Sequence, residues 1–410
     1  MSYKKIDWLT KLYNEIYLEE QYSKYLKKYK NTKFIMIDFK KFKEINDVFG
    51  HDMGDKYLIL FADILKSIFD TSLVIRLHGD EFCILTHDDE KEIIKKFDFC
   101  NKKIELTFET GKIPKKFKFN AGIVNAEKDI DITREKADYM MYYAKKNNID
   151  YQNFIDEIWK IKEDKDIYLN NIENDMQNDK FSYYQKKICN LNKETSIYEI
   201  LVYDSFGNSI YDLNNYTILK ESTLLRKLDI YNLEYLLSHL VKDTKEKILI
   251  NIDYKSLITK HDFLNYLKTL IDIKKINTCN IILSINIKDI VMGDYQVLLD
   301  IINELKNMKF SICLDNYSNT TVDYLWEHTK IDYIRLDNDY LRNLLNNSKS
   351  EALLISKIKL FNELSNVKAI FNYINECESV NVLLSKLDND EILLSGKYLI
   401  KEELLECDKV

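Results

Sequence analysis

The sequence predicts a two-domain α/β protein, a palm-like domain built on a β-hairpin followed by a TIM-like (β/α) barrel. Three observations carry this expectation. At 410 residues the chain exceeds what one hydrophobic core usually organises and suits two domains. In the first 150 residues short apolar runs end in acids, and the hairpin turn Arg76-Leu77-His78-Gly79-Asp80-Glu81-Phe82 carries two of them. From Phe181 onward strand-like runs alternate with helical stretches, the pattern of a parallel β/α array.

Composition narrows the class. A hydrophobic share of 46% with 31% charged residues is ordinary for a globular protein, and a net charge of -7 argues against a general nucleic-acid or membrane-surface binder. The seven cysteines are scattered singly and include no C-x-x-C, which favours reduced, mostly buried thiols over a disulfide frame or a zinc site. No apolar stretch follows the basic residues near Met1, and no run is long enough to span a bilayer, so a cytoplasmic protein is expected. With only eight glycines, the placing of Gly50, Gly54, Gly79 and Gly122 in the first 125 residues carries information.

The elements follow in order. Asp7 to Asn14 introduces a helical region reaching Tyr29, and Lys33 to Asp38 reads as a buried strand because its apolar run ends at an acid. Phe42 to Asp47 reads as a loop or short helix, Gly50 to Asp55 as a turn, and Tyr57 to Phe69 as an amphipathic helix. Leu73-Val74-Ile75 enters the hairpin turn and Phe82-Cys83-Ile84-Leu85 leaves it; helices are expected over Glu90–Lys103 and Thr133–Lys146, with a strand over Phe117–Val124 between them. Each acid alone reads as a solvated loop residue, and a hairpin turn is an ordinary place for Gly79. Asp38 at one strand end and Asp80 with Glu81 at a neighbouring turn are, taken together, what palm-like nucleotidyl transferases use to hold divalent ions against phosphate.

At this point a resemblance becomes specific. Residues 1–150 resemble a GGDEF domain, the diguanylate cyclase family that condenses two GTP into cyclic di-GMP. The matching pieces occur in the family's order: Asp7-x-Leu9-Thr10-x-Leu12-x-Asn14, then Asp38-x-x-x-Phe42-Lys43-x-Ile45-Asn46-Asp47-x-x-Gly50-His51-x-x-Gly54-Asp55. The hairpin, Ala121-Gly122-Ile123, and Ala137-Asp138 with Ala144-Lys145 complete the match. The resemblance implies that Asp38, the carbonyl of Phe39 and Asp80 hold Mg2+ or Mn2+, and that Glu81 assists the attacking 3′-hydroxyl. It further implies that Lys43 and Lys145 neutralise the triphosphate against the bare backbone of Gly79, that Asn46 and Asp55 read the guanine edge, and that catalysis takes a homodimer. Positioning and charge stabilisation are most of what phosphoryl transfer requires, so this set suffices chemically.

Departures from the family pattern set the open questions. The second acid of the strand-end D-x-D is Lys40, which a strand period of two can aim the same way as Asp38. A like charge about 4 Å from a bound cation costs on the order of 4 kcal/mol per unit charge at an effective dielectric of 20. Either Lys40 turns away or the second ion binds poorly. His78 stands where the family has glycine; its imidazole has the size to crowd the nucleotide, although His accepts left-handed backbone angles better than most residues. The Arg-x-x-Asp of a product-inhibition site is replaced by Phe69 and Ser72, so feedback through that site is not expected.

Residues 151–179 read as a charged helix with an apolar stripe, either a linker packed on one side or a dimerisation helix. In 180–410, strand-like runs at Ile248–Asp253, Asn280–Asn286, Phe310–Asp315, Tyr333–Asp337, Val367–Ile374 and Ile392–Ser395 mostly end in polar residues, which a barrel would gather at one face. This part resembles an EAL domain, the cyclic di-GMP phosphodiesterase family: Tyr184-Gln185, Glu199-Ile200-Leu201, Asn251, Leu314-Asp315-Asn316-Tyr317, Arg335-Leu336-Asp337 and Ser395-Gly396 fall in its order. Of the implied metal ligands Glu199, Asn251 and Asp315 remain, whereas Ser284, Asn316, Asn372 and Asn375 replace acids, and Arg335 replaces a catalytic lysine. Two-metal hydrolysis needs several charged oxygens and a poised base, so phosphodiesterase activity is not expected. Two functions stay open: a diguanylate cyclase carrying an inactive barrel of regulatory or interaction role, and a catalytically decayed scaffold that responds to GTP or cyclic di-GMP and acts through a protein partner of the barrel.

Overall fold

The structure, a computed structural model, describes residues 5–190, 194–240, 245–258, 261–317, 321–336, 348–372, 386–388, 392–395 and 403–404. The chain divides into two compact units between Asp164 and Lys165.

The first unit is a five-stranded sheet in the order β2-β3-β1-β4-β5. Its central strand β1 (Lys33–Phe39) is buried on both faces from Phe34 onward, which accounts for an unbroken apolar run in place of an alternating one. It pairs antiparallel with β3 (Glu81–Thr86) on one side and with β4 (Phe119–Asn125) on the other. Strand β2 (Leu73–His78) joins β3 through the predicted hairpin, with a bulge between Arg76 and His78. Helix α1 (Glu15–Lys28) starts on the side chain of Asn14, which accepts from the amide of Tyr17.

Three expected boundaries moved. Gly50 to Asp55 is not a turn: α2 (Phe42–Phe49) ends at Gly50, whose φ of 83° only glycine adopts readily, and α3 (His51–Ile68) begins at once. The helix expected over 151–179 begins only at Asp156, because Tyr151–Asn153 forms β5, a parallel edge strand beside β4. The helix after β3, α4 (Glu90–Glu109), opens with a capping box of Asp89 and Glu92 and runs six residues past Lys103. In α6 (Asp156–Gln177), Ile158 joins a core cluster of the first unit and Ile172 one of the second.

One contact sets the height of α5 (Ile130–Lys146) over the sheet. A Cβ on Gly122 of β4 would lie 2.0 Å from the carbonyl oxygen of Ala137 and 2.5 Å from the amide of Met141. Helix backbone therefore rests directly on strand backbone.

The second unit is a closed barrel. Its strands are β6 (Ser182–Cys189), β7 (Thr195–Tyr203), β8 (Ile248–Asp253), β9 (Ile281–Asn286), β10 (Ser311–Tyr317), β11 (Tyr333–Leu336), β12 (Lys368–Asn372) and β13 (Ile392–Ser395). They pair in that order, and β13 meets β6 to close the ring. The array is not wholly parallel as expected: β6 runs antiparallel to both β7 and β13. A short strand, Glu403–Leu404, adds to β6. The barrel floor is an apolar plug of one residue per strand, Ile188, Ile197, Leu249, Ile282, Cys313, Tyr333, Ile370 and Leu393. Cys83, Cys100, Cys189 and Cys313 are buried thiols and Cys279 is exposed, while Cys377 and Cys407 lie outside the described residues.

The Gly122 contact gives a direct expectation. Gly122→Ala forces α5 off β4 and should cost the first unit at least the ~1–3 kcal/mol typical of overpacking, read as a lower midpoint in chemical denaturation, whereas Gly293→Ala in the second unit, where a Cβ meets nothing within 4 Å, should cost its own unit less.

Candidate functional sites

In the first unit, the register of β1 places Asp38 opposite Glu81 on β3 and opposite Asn120 on β4. Asp38 is only 7% exposed, and its Oδ2 accepts a 2.7 Å bond from Nζ of Lys145, on the last turn of α5. Gly122 makes this possible by letting α5 sit low on the sheet. Burial raises the carboxyls of both Asp80 and Glu81, and the neighbouring charge of Asp38 raises them further. Lys145, paired with Asp38, is held more firmly protonated than a free lysine.

The turn itself is tied down by a neighbour. Arg76 donates from Nε and Nη2 to the carbonyl of Gly79, at 3.0 and 2.7 Å, and from Nη1 to Asp7 at 3.0 Å. Asp7 also accepts from the amide and hydroxyl of Thr10, so the N-terminal loop clamps the hairpin through one arginine. Although burial opposes its charge, these donors hold the Asp7 carboxyl below the usual range. Gly79 takes the left-handed φ of 52°, which leaves His78 as an ordinary strand residue.

Both departures in the signature have a definite place. Lys40 turns away from Asp38 and pairs with Asp150 at 2.9 Å, so its charge is directed out of the acid cluster. The His78 side chain is 72% exposed, with Nδ1 3.4 Å from Oε2 of Glu81; it lies beside an acid and points largely into solvent.

The remaining predicted residues divide by position. Asn46 on α2 packs on α3 at Gly54, whose missing Cβ would stand 2.0 Å from Oδ1 of Asn46, and Asp55 is the next residue of α3. Lys43 is exposed on α2 and has no contact with the acids among the described residues. Asp138 belongs to the Ala137-Asp138 motif. Seven residues before Lys145, it shares that face of α5, and its carboxyl is raised by partial burial and by Asp38. The seven-residue interval was the available signal.

The donor set suits a hard divalent cation: two crowded carboxylates and the backbone carbonyl of Phe39 are hard oxygens, and a cation relieves the repulsion from Asp38 that adds to burial in raising Asp80. Among the described residues no three His, Cys, Asp or Glu side chains are grouped closely enough to hold an ion by themselves. Such a site takes its remaining ligands from substrate phosphate and water, as Mg2+ sites commonly do.

In the barrel, the layer above the apolar plug is polar. Two residues further along β7 to β11 stand Glu199, Asn251, Ser284, Asp315 and Arg335, with Lys186 opposite Glu199 on the reversed strand β6. Arg335 Nη1 donates to Glu199 at 2.9 Å and to Asn251 at 3.2 Å and lies 3.6 Å from Asp315. Asn251 also donates to Glu199 at 3.0 Å. Burial pushes the Glu199 carboxyl up, but Arg335 and Lys186 outweigh it and hold the group ionised. Arg335 Nε and Nη2 and the hydroxyls of Ser284 and Ser395 are buried without a partner among the described residues. Asn372 ends β12, and Asp337, Asn375 and Gly396 lie outside the described residues.

A second polar chain crosses the same end of the barrel. Asn316 donates to Asn286 at 3.0 Å, Asn286 donates to the hydroxyl of Tyr216 on α7 (Leu213–Glu221) at 2.7 Å, and Tyr216 donates to Asp253. Asp229 on α8 (Leu224–Tyr235) accepts from the amide of Asp253 at 2.9 Å and from Ser256 at 2.7 Å, and burial pushes its carboxyl up to about 7.

Comparison with known proteins follows the same division. The model of the family described as "Diguanylate cyclase, GGDEF domain" matches residues 4–150, and that of the EAL domain matches residues 170–388. The chain is 34% identical over 149 residues to the probable diguanylate cyclase DgcJ of Escherichia coli K12, covering 35% of this chain and 29% of the relative. It is 30% identical over 165 residues to the diguanylate cyclase DosC of Shigella sonnei, covering 38% of this chain and 35% of that one. The chain thus spans about a third of the length of these curated relatives. The crystal structure of the Xanthomonas citri FimX EAL domain in complex with c-diGMP aligns with a TM-score of 0.51 at 13% identity, over 60% of this chain and 97% of that one, a likeness of fold. No helix among the described residues is long and apolar enough to cross a membrane.

Asp229 predicts a pH dependence. Its carboxyl titrates higher in the folded protein than unfolded, so its contribution to stability is full below pH ~4 and is lost as pH rises towards 7, a fall of at most about 4 kcal/mol. Asp229→Asn keeps an acceptor for both hydrogen bonds and should flatten that decline, as measured by urea unfolding at pH 5 and pH 8.

Proposed function

The chain belongs to the EAL domain family and carries a GGDEF domain ahead of its barrel, and on that premise we propose that the GGDEF domain condenses two GTP into cyclic di-GMP while the barrel acts as a non-hydrolytic regulatory or interaction module. The observation that supports this most is the convergence of Asp38, Asp80, Glu81 and Lys145 at one end of the central strands, with Lys40 directed away to Asp150.

The residues divide the task between them. Asp38, Asp80 and the Phe39 carbonyl hold Mg2+ or Mn2+, which when bound neutralises phosphate charge. Lys145 exchanges its bond to Asp38 for the triphosphate, and Lys43 adds a second positive charge from α2. Gly79 offers bare backbone to the phosphates. Asn46 and Asp55 read the guanine edge, Asp55 as an acceptor that disfavours adenine.

Glu81, its carboxyl raised by burial and its acidic neighbours, is suited to take the proton of the 3′-hydroxyl. The new 3′-O–P bond forms as the bond between α- and β-phosphates breaks and pyrophosphate leaves. Because each GTP supplies one hydroxyl and one α-phosphate, two such domains face each other in a homodimer. In the barrel, the loss of acids at Ser284 and Asn316 and the arginine at position 335 support the non-hydrolytic reading.

Purified chain with GTP and Mg2+ or Mn2+ should yield cyclic di-GMP on chromatography; absence of product at high enzyme concentration would leave the decayed scaffold. Glu81→Gln should lower turnover about 10²- to 10⁴-fold with little change in GTP affinity. Gly54→Ala should displace Asn46 and weaken GTP binding by roughly tenfold, about 1.4 kcal/mol, and adding Asn46→Ala should cost little more.

A further inference from the structure

We propose that Arg335 is a built-in substitute for the metal of the barrel, so that the ring of Glu199, Asn251 and Asp315 is closed to divalent ions. The family resemblance implies metal at these three positions. Here all three converge on a single nitrogen, Nη1 of Arg335, at 2.9, 3.2 and 3.6 Å. The guanidinium is 3% exposed and Glu199 5%, so neither charge is shared with bulk water.

Charge balance argues the same way. Among the described residues of the ring, Lys186 and Arg335 supply two positive charges against the two negative charges of Glu199 and Asp315. At position 284, Ser284 supplies a neutral hydroxyl in place of an acid. A lysine in the Arg335 position can give up its proton when a cation approaches, whereas a guanidinium stays charged at any pH a protein survives.

A dication at this point would therefore have to displace a fixed positive charge from its own ligands and leave that charge buried and unpaired. The inference concerns the barrel alone and stands or falls separately from cyclase activity.

The test uses the full chain carrying Asp38→Asn and Asp80→Asn, which removes the carboxylates of the first-domain site, in equilibrium dialysis against Mn2+. This chain should retain no Mn2+ that depends on Glu199. Arg335→Met in the same background should bring out Mn2+ retention where there was none, and Glu199→Gln should abolish it. Mn2+ retained before Arg335 is changed and lost on Glu199→Gln would overturn the proposal. A folded Arg335→Met chain with no gain in Mn2+ binding would also overturn it. Should Arg335→Met not fold, the first arm decides alone, since it leaves the barrel unaltered.

Discussion

The antiparallel pairing of β1 with β3 is the constraint on which the first unit depends. It sets Asp38 opposite Glu81, and a slip of one residue would send the acid to the other face of the sheet. The pairing is held by burial: Phe34, Ile35, Ile37, Phe82, Ile84 and Leu85 are wholly enclosed in it. The hairpin turn adds only the last adjustment, through Arg76 on the Gly79 carbonyl and Asp7 behind it.

Helix α5 completes the site from the opposite direction. Its contact with Gly122 leaves no space for a side chain, and that closeness carries Lys145 and Asp138 over the end of β1. A packing detail at a glycine thereby becomes an electrostatic one at an acid. Burial raises the carboxyls of Asp80 and Glu81, the cluster of like charges raises them further, and that cluster is what gives a cation, or Lys145, something to stabilise.

The barrel reaches a different balance with a similar layout. Above a dry apolar plug, its polar layer pairs its acids with resident cations. Buried ion pairs of this kind add little net stability compared with apolar replacements, but removing one partner strands the other. Arg335 and Glu199 therefore depend on each other more than the fold depends on either.

Much of this was readable from residue order. The acid-ended run at Lys33–Asp38, the hairpin and the alternating runs of the barrel follow from periodicity, because burial on one or both faces dictates which positions must be apolar. Element ends were less legible: the apolar pattern does not distinguish a turn from the first turn of a helix at His51–Asp55, nor a short edge strand from a helix start at Tyr151–Asn153, since both depend on neighbours distant in the chain. The antiparallel course of β6 was likewise hidden, because a strand's side-chain pattern is the same in either direction. The sequence by itself determined which chemical groups each domain possesses, Lys40, His78 and Arg335 included, because those are covalent facts. Where their charges point was decided only by tertiary structure: Lys40 to Asp150, His78 beside Glu81, and Arg335 into the ring of Glu199, Asn251 and Asp315. A long side chain takes its direction from whichever opposite charge the fold brings within reach, and that choice is not encoded locally.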